Sequence, residues 1–311
     1  MNDNIMHKDT TVTTIGKLLN KYREHHNITQ QDLAQQLSAY SYDFKNLNSV
    51  TISRWETGTT APGCNKKQQL LHFLVSTKCF QQISECYEIV KNAYENLFTP
   101  LSKLFNRNYQ YLIGNFPEFK IDRSNIHTLA DFPTKEEHYE HIVDIETATN
   151  VKGYYTVTPT RLKVLCEHPS SFSIICERKK QHLGHFVMFK VKNDVAEEIV
   201  HHKRKEYTVT PADLCQPEEK GTYYIHALYG KNPSIAAWLN VYAYLHLFEH
   251  IDHIDNVLIF SSRKDGPQLT KDYGIELIKK GYNDFFGFEW HGFMSPVEKI
   301  LFSDMVVKRI F

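Results

Sequence analysis

The sequence predicts two domains of different class, an all-α domain first and then an α+β domain on a mixed sheet. Three observations predict this. The chain has 311 residues, more than one compact core commonly holds. Up to about residue 75 the apolar residues recur at helical spacing. After residue 137, helical stretches alternate with short runs rich in β-branched and aromatic residues.

Formal net charge is zero, so contact with nucleic acid requires a local patch rather than a global field. No apolar run is long enough to span a bilayer and no signal-peptide pattern is seen, so the expected setting is cytoplasmic with no membrane partner. Cys64, Cys79, Cys86, Cys166, Cys176 and Cys215 form no C-x-x-C pair, which fits reduced thiols better than a disulfide frame or a zinc site.

Residues 15–25, "IGKLLNKYREH", place Ile15, Leu18, Leu19 and Tyr22 on one helical face. In "NITQQDLAQQL" Thr29 is the expected N-cap, Asp32 its capping-box partner, and Ile28 with Leu33 the hydrophobic staple. That second helix is expected to run to about Leu37. A third, "NSVTISRWETG", is capped by Asn48 or Ser49 and stopped by Gly58. Ile52 and Trp55 share its core face, and Val50, Ser53, Arg54 and Thr57 lie opposite. Short side chains beside one long cation suit a DNA major groove; the plainer alternative is a solvated face. Pro62 and Gly63 precede a fourth helix carrying Leu70, Leu71, Phe73 and Leu74.

The combination "TQ-x-x-LA" (29–34) and "V-T-I-S-R-W-E-x-G-x-x-x-P" (50–62) resembles the Cro/repressor-type, or XRE, helix-turn-helix family over residues 13–78. The resemblance implies a λ repressor-like fold, sequence-specific binding of double-stranded DNA, transcription regulation, and a homodimer on two half-sites. Gln30 would touch a phosphate and brace the recognition helix. Ser49, Val50, Ser53 and Arg54 would face base edges, with Thr51 and Thr57 completing the DNA-facing set. Arg23 and Glu56 would pair structurally. Lys45, Lys66 and Lys67 would neutralise phosphates. Residues 15–75 hold seven lysines and arginines against four carboxylates, a surplus of three, so binding should fall with salt. The connection 38–48 is longer than the family's usual turn. It is expected either to pack Tyr40, Tyr42 and Phe44 or to reach the DNA backbone.

Residues 79–134 read as a helical arm and linker. Phe80, Ile83, Tyr87, Val90, Tyr94 and Leu97 have helical spacing, and Pro100 opens a second piece. The arm either makes a dimer contact or packs on its own chain. Residues 115–137 read as linker.

The last domain is expected over 135–311. "TPTRLKVLCEH" is a short helix; 172–179 and 184–192 form a hairpin; 221–230 is a strand. Asn232 caps and Pro233 opens a long helix. Residues 256–262 are a strand, 271–281 a helix and 285–292 a final strand. This order resembles the GNAT acyltransferase fold over 135–295. The resemblance implies acyl-CoA in a gap between the fourth and fifth strands, its pyrophosphate on amides at the next helix's N-terminus. Gly230, Lys231, Asn232 and Ser234 are the matching cofactor-binding positions. Two features depart from the family. Pro233 removes an amide and the paired glycines of the family's loop are missing. The family's tyrosine acid, four residues before a Gly-Phe pair, matches Leu277 before Gly281-Tyr282, with Tyr273 one turn away. These departures favour a degenerate domain that senses a small molecule or protein effector, with no catalytic residue assigned. The alternative is an active acetyl-CoA-dependent N-acetyltransferase fused to a DNA-binding domain.

Other groupings have plain readings. His246, Glu249, His250 and His253 are metal-capable but lack a further partner, so a solvated helix end is favoured; His138 and His141 are similar. "HHKRKE" (201–206) reads as a solvated loop, and "GYYTVTP" (153–159) as core packing or a pocket wall.

Overall fold

In a computed structural model of the protein, residues 14–108 and 121–311 are described. The chain divides into two compact units, Met1–Leu97 with Phe302–Phe311, and Phe98–Leu301. The division assigns 79–97 and the last ten residues to the helical unit, where the sequence suggested an arm and the tail of the second domain.

The helical unit holds α1 (Thr14–His26), α2 (Gln30–Tyr40), α3 (Ser49–Glu56), α4 (Cys64–Ser76), α5 (Cys79–Gln82) and α6 (Ser84–Glu95), with α14 (Asp304–Ile310) from the end of the chain. Its core is the predicted stripe: Ile15, Leu18, Leu19, Tyr22, Leu33, Leu37, Ile52, Trp55, Leu70 and Leu74 are buried. Thr29 and Asp32 form the expected capping box. Asn48 caps α3 by accepting from the Thr51 amide at 2.9 Å, and Gly58 lies beyond its end at φ 71°. α2 outlasts its expected end by a turn. The connection to α3 contains a 3-10 turn, Tyr42–Phe44. Of its three aromatics Phe44 is buried, Tyr40 meets the Phe73 ring edge-on, and Tyr42 is 81% exposed instead of packed. Lys45 sits over the Tyr42 ring, which keeps that exposed face in a cation contact. The chain end closes this unit. Gln68 donates to the Phe302 carbonyl and to Asp304, and Thr14 donates to the Ile310 carbonyl.

The second unit contains α7 (Phe98–Asn108), β1 (Ile126–Thr128), α8 (Lys135–Thr149), α9 (Pro159–Cys166), β2 (Ser171–Arg178), β3 (Gln181–Val191), α10 (Asn193–Val200), β4 (Gly221–Gly230), α11 (Pro233–Glu249), β5 (Ile254–Ser261), α12 (Gly266–Tyr273), β6 (Leu277–Asn283), β7 (Phe288–Pro296) and α13 (Val297–Leu301). The strands form one sheet in the order β1-β2-β3-β4-β5-β7-β6. All neighbours are antiparallel except β4 and β5, which are parallel because α11 carries the chain back between them.

Strand alternation sorts the core. Ile175, Val187, Phe189, Val191, Tyr224 and Leu258 face a cluster with residues of α8, α9 and α10. The β2–β3 hairpin turns on Lys179 and Lys180, both at positive φ, the conformation whose twist suits two-residue hairpins. Part of the expected linker is instead the edge strand β1, paired to β2; residues 109–120 lie outside the described residues. The helix expected at 271–281 is a correction. Gly274, at φ 77°, ends α12 after Tyr273. Residues 277–283 alternate along β6 instead, and Gly281 lies so close to Trp290 that a Cβ there would meet its ring at 2.5 Å.

Candidate functional site

β4 and β5 pair only as far as Ile225 and Ile259. Beyond that point β4 continues along β3 to Gly230, and β5 continues along β7 to Ser261, so the two parallel strands part. A bulge lies at the parting. Ala227 pairs with Val187 and Ile225 with Met188, which leaves His226 as the extra residue of β4. The bulge turns His226 onto the α8 face, where its ring lies 5.1 Å from Phe189 and 5.7 Å from Tyr224. A cavity of about 90 Å³ opens there, lined among others by Glu146, Tyr155, Glu206, His226, Arg263 and Thr270.

Glu146 comes from the core face of α8, one turn beyond Ile142 and Val143, and is 4% exposed. Burial alone would push its carboxyl up. The charge of Arg263 and the nearby His185 ring outweigh burial and hold it below the usual carboxylate range. Arg263 Nη2 stands 3.4 Å from Glu146 Oε2, and His185 Nε2 stands 3.5 Å from Oε1.

Glu206 behaves oppositely. It sits in a 3-10 turn of the segment between β3 and β4, is 9% exposed, and faces no cation at pairing distance among the ion pairs of the described residues. Burial raises its carboxyl to about 7, against smaller opposing contributions that include a hydrogen bond from the Tyr154 hydroxyl. The loop reading of 201–206 therefore fails at Glu206, which the fold turns inward. His226 completes the group. Burial lowers its imidazole to about 4, so it is neutral at pH 7. The Tyr155 hydroxyl, whose proton burial holds in place, shares a hydrogen bond with His226 Nε2 at 2.8 Å. His226 Nδ1 is buried with no hydrogen-bond partner among the described residues.

The expected cofactor loop is built differently from its family pattern. The Lys231 amide donates to the Leu183 carbonyl, Pro233 has no amide, and the Ile235 amide donates to the side chain of Asn232. Asn232 is fully buried as the cap of α11. Gly230 has its own structural reason, since a Cβ there would meet the Ala236 amide nitrogen at 2.8 Å. The loop thus lacks the cradle of several amides that a pyrophosphate needs. Leu277, Gly281 and Tyr282 lie on β6, so the tyrosine match made there does not hold. Counting back four residues from Gly274, the glycine that ends α12, reaches Thr270, whose hydroxyl donates to Gly266 and Pro267 carbonyls. Tyr273 lines the cavity with its hydroxyl donated to Asn240.

No metal grouping of three or more His, Cys, Asp or Glu occurs among the described residues. His246 is not solvated as expected. Its Nε2 meets the Tyr223 hydroxyl at 2.7 Å, its ring stacks on Phe172, and burial lowers it to about 3.

In the helical unit, α3 turns Val50 (55% exposed), Arg54 and Thr57 outward, with Ser49 and Ser53 half-buried beside them. Thr51 hydrogen-bonds Asn48 through its hydroxyl, and the Thr57 hydroxyl donates to the Ser53 carbonyl. Glu56 is held at one oxygen by Arg23 Nε at 2.9 Å and at the other by Gln30 Nε2 at 2.7 Å, which fixes α3 to α1 and α2. Lys45, Lys66 and Thr51 line a shallow polar pocket at the edge of the same unit.

No protein-family profile and no curated protein matches the chain. Among solved structures it is similar to an aminoglycoside 6'-acetyltransferase type Ii, at 9% identity and a TM-score of 0.36 over 55% of this chain and 96% of that one. It is also similar to FeeM, an N-acyl amino acid synthase from uncultured soil microbes, at 13% identity and 0.38 over 53% and 87%. A third is an aminoglycoside 6'-N-acetyltransferase complexed with coenzyme A, at 9% and 0.34 over 58% and 96%. Scores this low carry no assignment, and the architecture stands on its own strand order.

Proposed function

We propose that the α/β unit transfers an acyl group from a thioester, with acyl-CoA as the candidate donor, to an amine. The observation that carries this reading is the cavity at the parting of β4 and β5. It holds two buried carboxyls pushed in opposite directions, Glu146 below its usual range and Glu206 up to about 7. A pair driven apart in this way is the usual mark of divided acid–base work. Glu206 exchanges a proton near neutral pH and takes one from the attacking amine. His226 Nδ1 is buried without a hydrogen-bond partner among the described residues, and with its proton there it would meet the charge that develops on the thioester oxygen. Glu146 is charged at rest beside Arg263. A pure sensor needs only a cavity, and gives no reason to keep Glu206 buried without a cation. The loop before α11 does not supply the familiar pyrophosphate cradle, so a shorter acyl-pantetheine donor is part of the test.

Thiol release with acetyl-CoA and acetyl-pantetheine over an amine panel tests the reading. Activity should rise as pH increases through about 7, where Glu206 loses its proton. Glu206→Gln should lower kcat about 10²- to 10⁴-fold. Turnover unchanged in Glu206→Gln removes Glu206 from the chemistry, and no turnover with either donor returns the unit to the sensor reading.

A second reading applies to the helical unit, which we propose binds duplex DNA. It rests on the outward face of α3, short side chains beside Arg54, with Glu56 tied to Arg23 and Gln30 behind it. Arg54→Ala should weaken binding of a selected duplex about 10- to 100-fold, the worth of one base or phosphate contact. Equal binding by wild type and variant, or no sequence-selective binding at moderate salt, sinks it.

A further inference from the structure

Three histidines outside the cavity are hydrogen-bonded in a line whose inner end faces Glu146. His138 Nδ1 lies 2.9 Å from His182 Nδ1, and His182 Nε2 lies 2.9 Å from His185 Nδ1. His185 Nε2, buried and otherwise without a partner, faces Glu146 Oε1 at 3.5 Å. The rings are 4%, 5% and 0% exposed. Apolar packing alone does not call for three imidazoles in a row, each using both faces of the line. His138 and Glu146 stand on the same helix two turns apart, so α8 supplies both ends and β3 bridges them.

We propose that His138, His182 and His185 conduct protons between Glu146 and the outer end of α8, where the exposed His141 stacks on His182. The inference deepens the acyl-transfer reading and rests on it for its purpose, though the path itself is measurable without turnover. A neutral imidazole carries one N–H and one lone pair, so three neutral rings fit the line with all N–H groups pointing the same way. In the outward direction a proton on Glu146 passes to His185 Nε2. His185 gives its Nδ1 proton to His182 Nε2, and His182 gives its Nδ1 proton to His138 Nδ1. His138 releases the proton on Nε2 to water. Each ring ends neutral with its N–H on the other nitrogen. Joining a neutral amine to a thioester takes one proton off nitrogen and puts one on sulfur. One outward and one inward passage along the line move no net proton and restore the starting tautomers.

The surroundings lower the proton affinity of His182 and His138. Burial lowers His182 well below the usual range, helped by the neighbouring His185, His138, His141 and Lys231. Burial and His141 lower His138, with Glu177 and Glu137 opposing and His127 adding to the decrease. At the inner end Arg263 and His226 face Glu146 along with His185.

Side-chain ¹⁵N NMR of the full chain tests the path directly. In wild type the His185 imidazole N–H should exchange with solvent along the line. His182→Phe and, separately, His138→Phe should slow that exchange at least tenfold while the backbone amide spectrum stays native. Two different rings are replaced, so misfolding of one variant leaves the other to decide. Exchange that stays equal or speeds up in a natively folded variant overturns the path. In the thiol-release assay the same variants should lower kcat about 10- to 100-fold with KM kept, and millimolar imidazole should restore part of the loss. A kcat within twofold of wild type also overturns it. If wild type releases no thiol, the acyl-transfer reading fails by itself, and the exchange rates still decide the path.

Discussion

The two units hold their ionisable side chains in different ways. In the helical unit the charges lie at or near the surface. Glu56, whose side chain is 6% exposed, is answered by Arg23 and Gln30. In the α/β unit carboxyls and imidazoles are drawn inside, and some polar atoms are left without hydrogen-bond partners among the described residues, among them His226 Nδ1 and Arg263 Nη1. A surface that recognises something large needs charges it can display. A cavity that moves protons needs charges it can perturb. The difference is physical before it is functional: burial raises both Glu146 and Glu206, and the neighbouring charge of Arg263, present only at Glu146, separates their proton affinities.

The largest effect that sharpens this contrast is expected at Glu146. Glu146→Ala leaves Arg263 beside a gap and removes the acceptor facing His185, which should cost about 3 to 5 kcal/mol. The sign follows from the lowered folded value. The contribution is present above the unfolded carboxylate range and is lost as pH falls through the folded value. Denaturant melts of variant and wild type should therefore differ most at pH 7 and converge in acid. A constant difference from pH 7 down to pH 3 would show that packing, not charge, holds Glu146 in place.

Glu206 is the next in size and opposite in sign. A folded value of about 7 means the buried charged form opposes folding. The penalty is absent below the unfolded carboxylate value, grows as pH rises towards 7, and is complete above it. Glu206→Gln keeps an acceptor for the Tyr154 hydroxyl and should stabilise the fold by about 2 to 3 kcal/mol at pH 8, with little change at pH 4. One substitution that stabilises the chain while removing its turnover would be the signature of a residue kept for chemistry. Destabilisation at pH 8 would mean that Glu206 has a partner the structure places elsewhere.

The same contrast explains what the sequence could say. The helical unit was legible because its determinants are local. Thr29 with Asp32, Asn48 with Thr51, and Ile52 with Trp55 each lie within one turn, so spacing announces them. The strands Gly221–Gly230 and 171–191 and the capped start of α11 were legible for the same reason. The cavity was not. Glu146, Tyr155, Glu206, His226 and Arg263 come from five separate segments, and no spacing links them. One signal was available: Glu146 continues the stripe Tyr139, Ile142 and Val143, so a carboxylate stood on an apolar helical face. The bulge at His226 left no trace, because it depends on register with β3. The helix expected at 271–281 runs across Gly274, where a left-handed residue stops α12 and the chain turns into β6.

The smallest effect belongs to the helical unit and tests how local its order is. α3 has eight residues, barely two turns, and so short a helix has little stability of its own. Two things hold it: burial of Ile52 and Trp55 beneath, and the Asn48 side chain at its start. Asn48 Oδ1 accepts both the amide and the hydroxyl of Thr51, at 2.9 and 3.0 Å. Asn48→Ala should cost about 1 kcal/mol, since it removes that acceptor and leaves the core beneath untouched. The loss should appear where the bond was. Hydrogen exchange at the Thr51 amide should quicken about fivefold, the equivalent of 1 kcal/mol, while the amides of α8 around Glu146 keep their rates. Ser49 and Val50 ride on the loosened turn, so duplex binding should weaken with Arg54 still present. A slowing or quickening shared equally by Thr51 and α8 would break the comparison, because the cap would then be acting on the whole chain rather than on one exposed face.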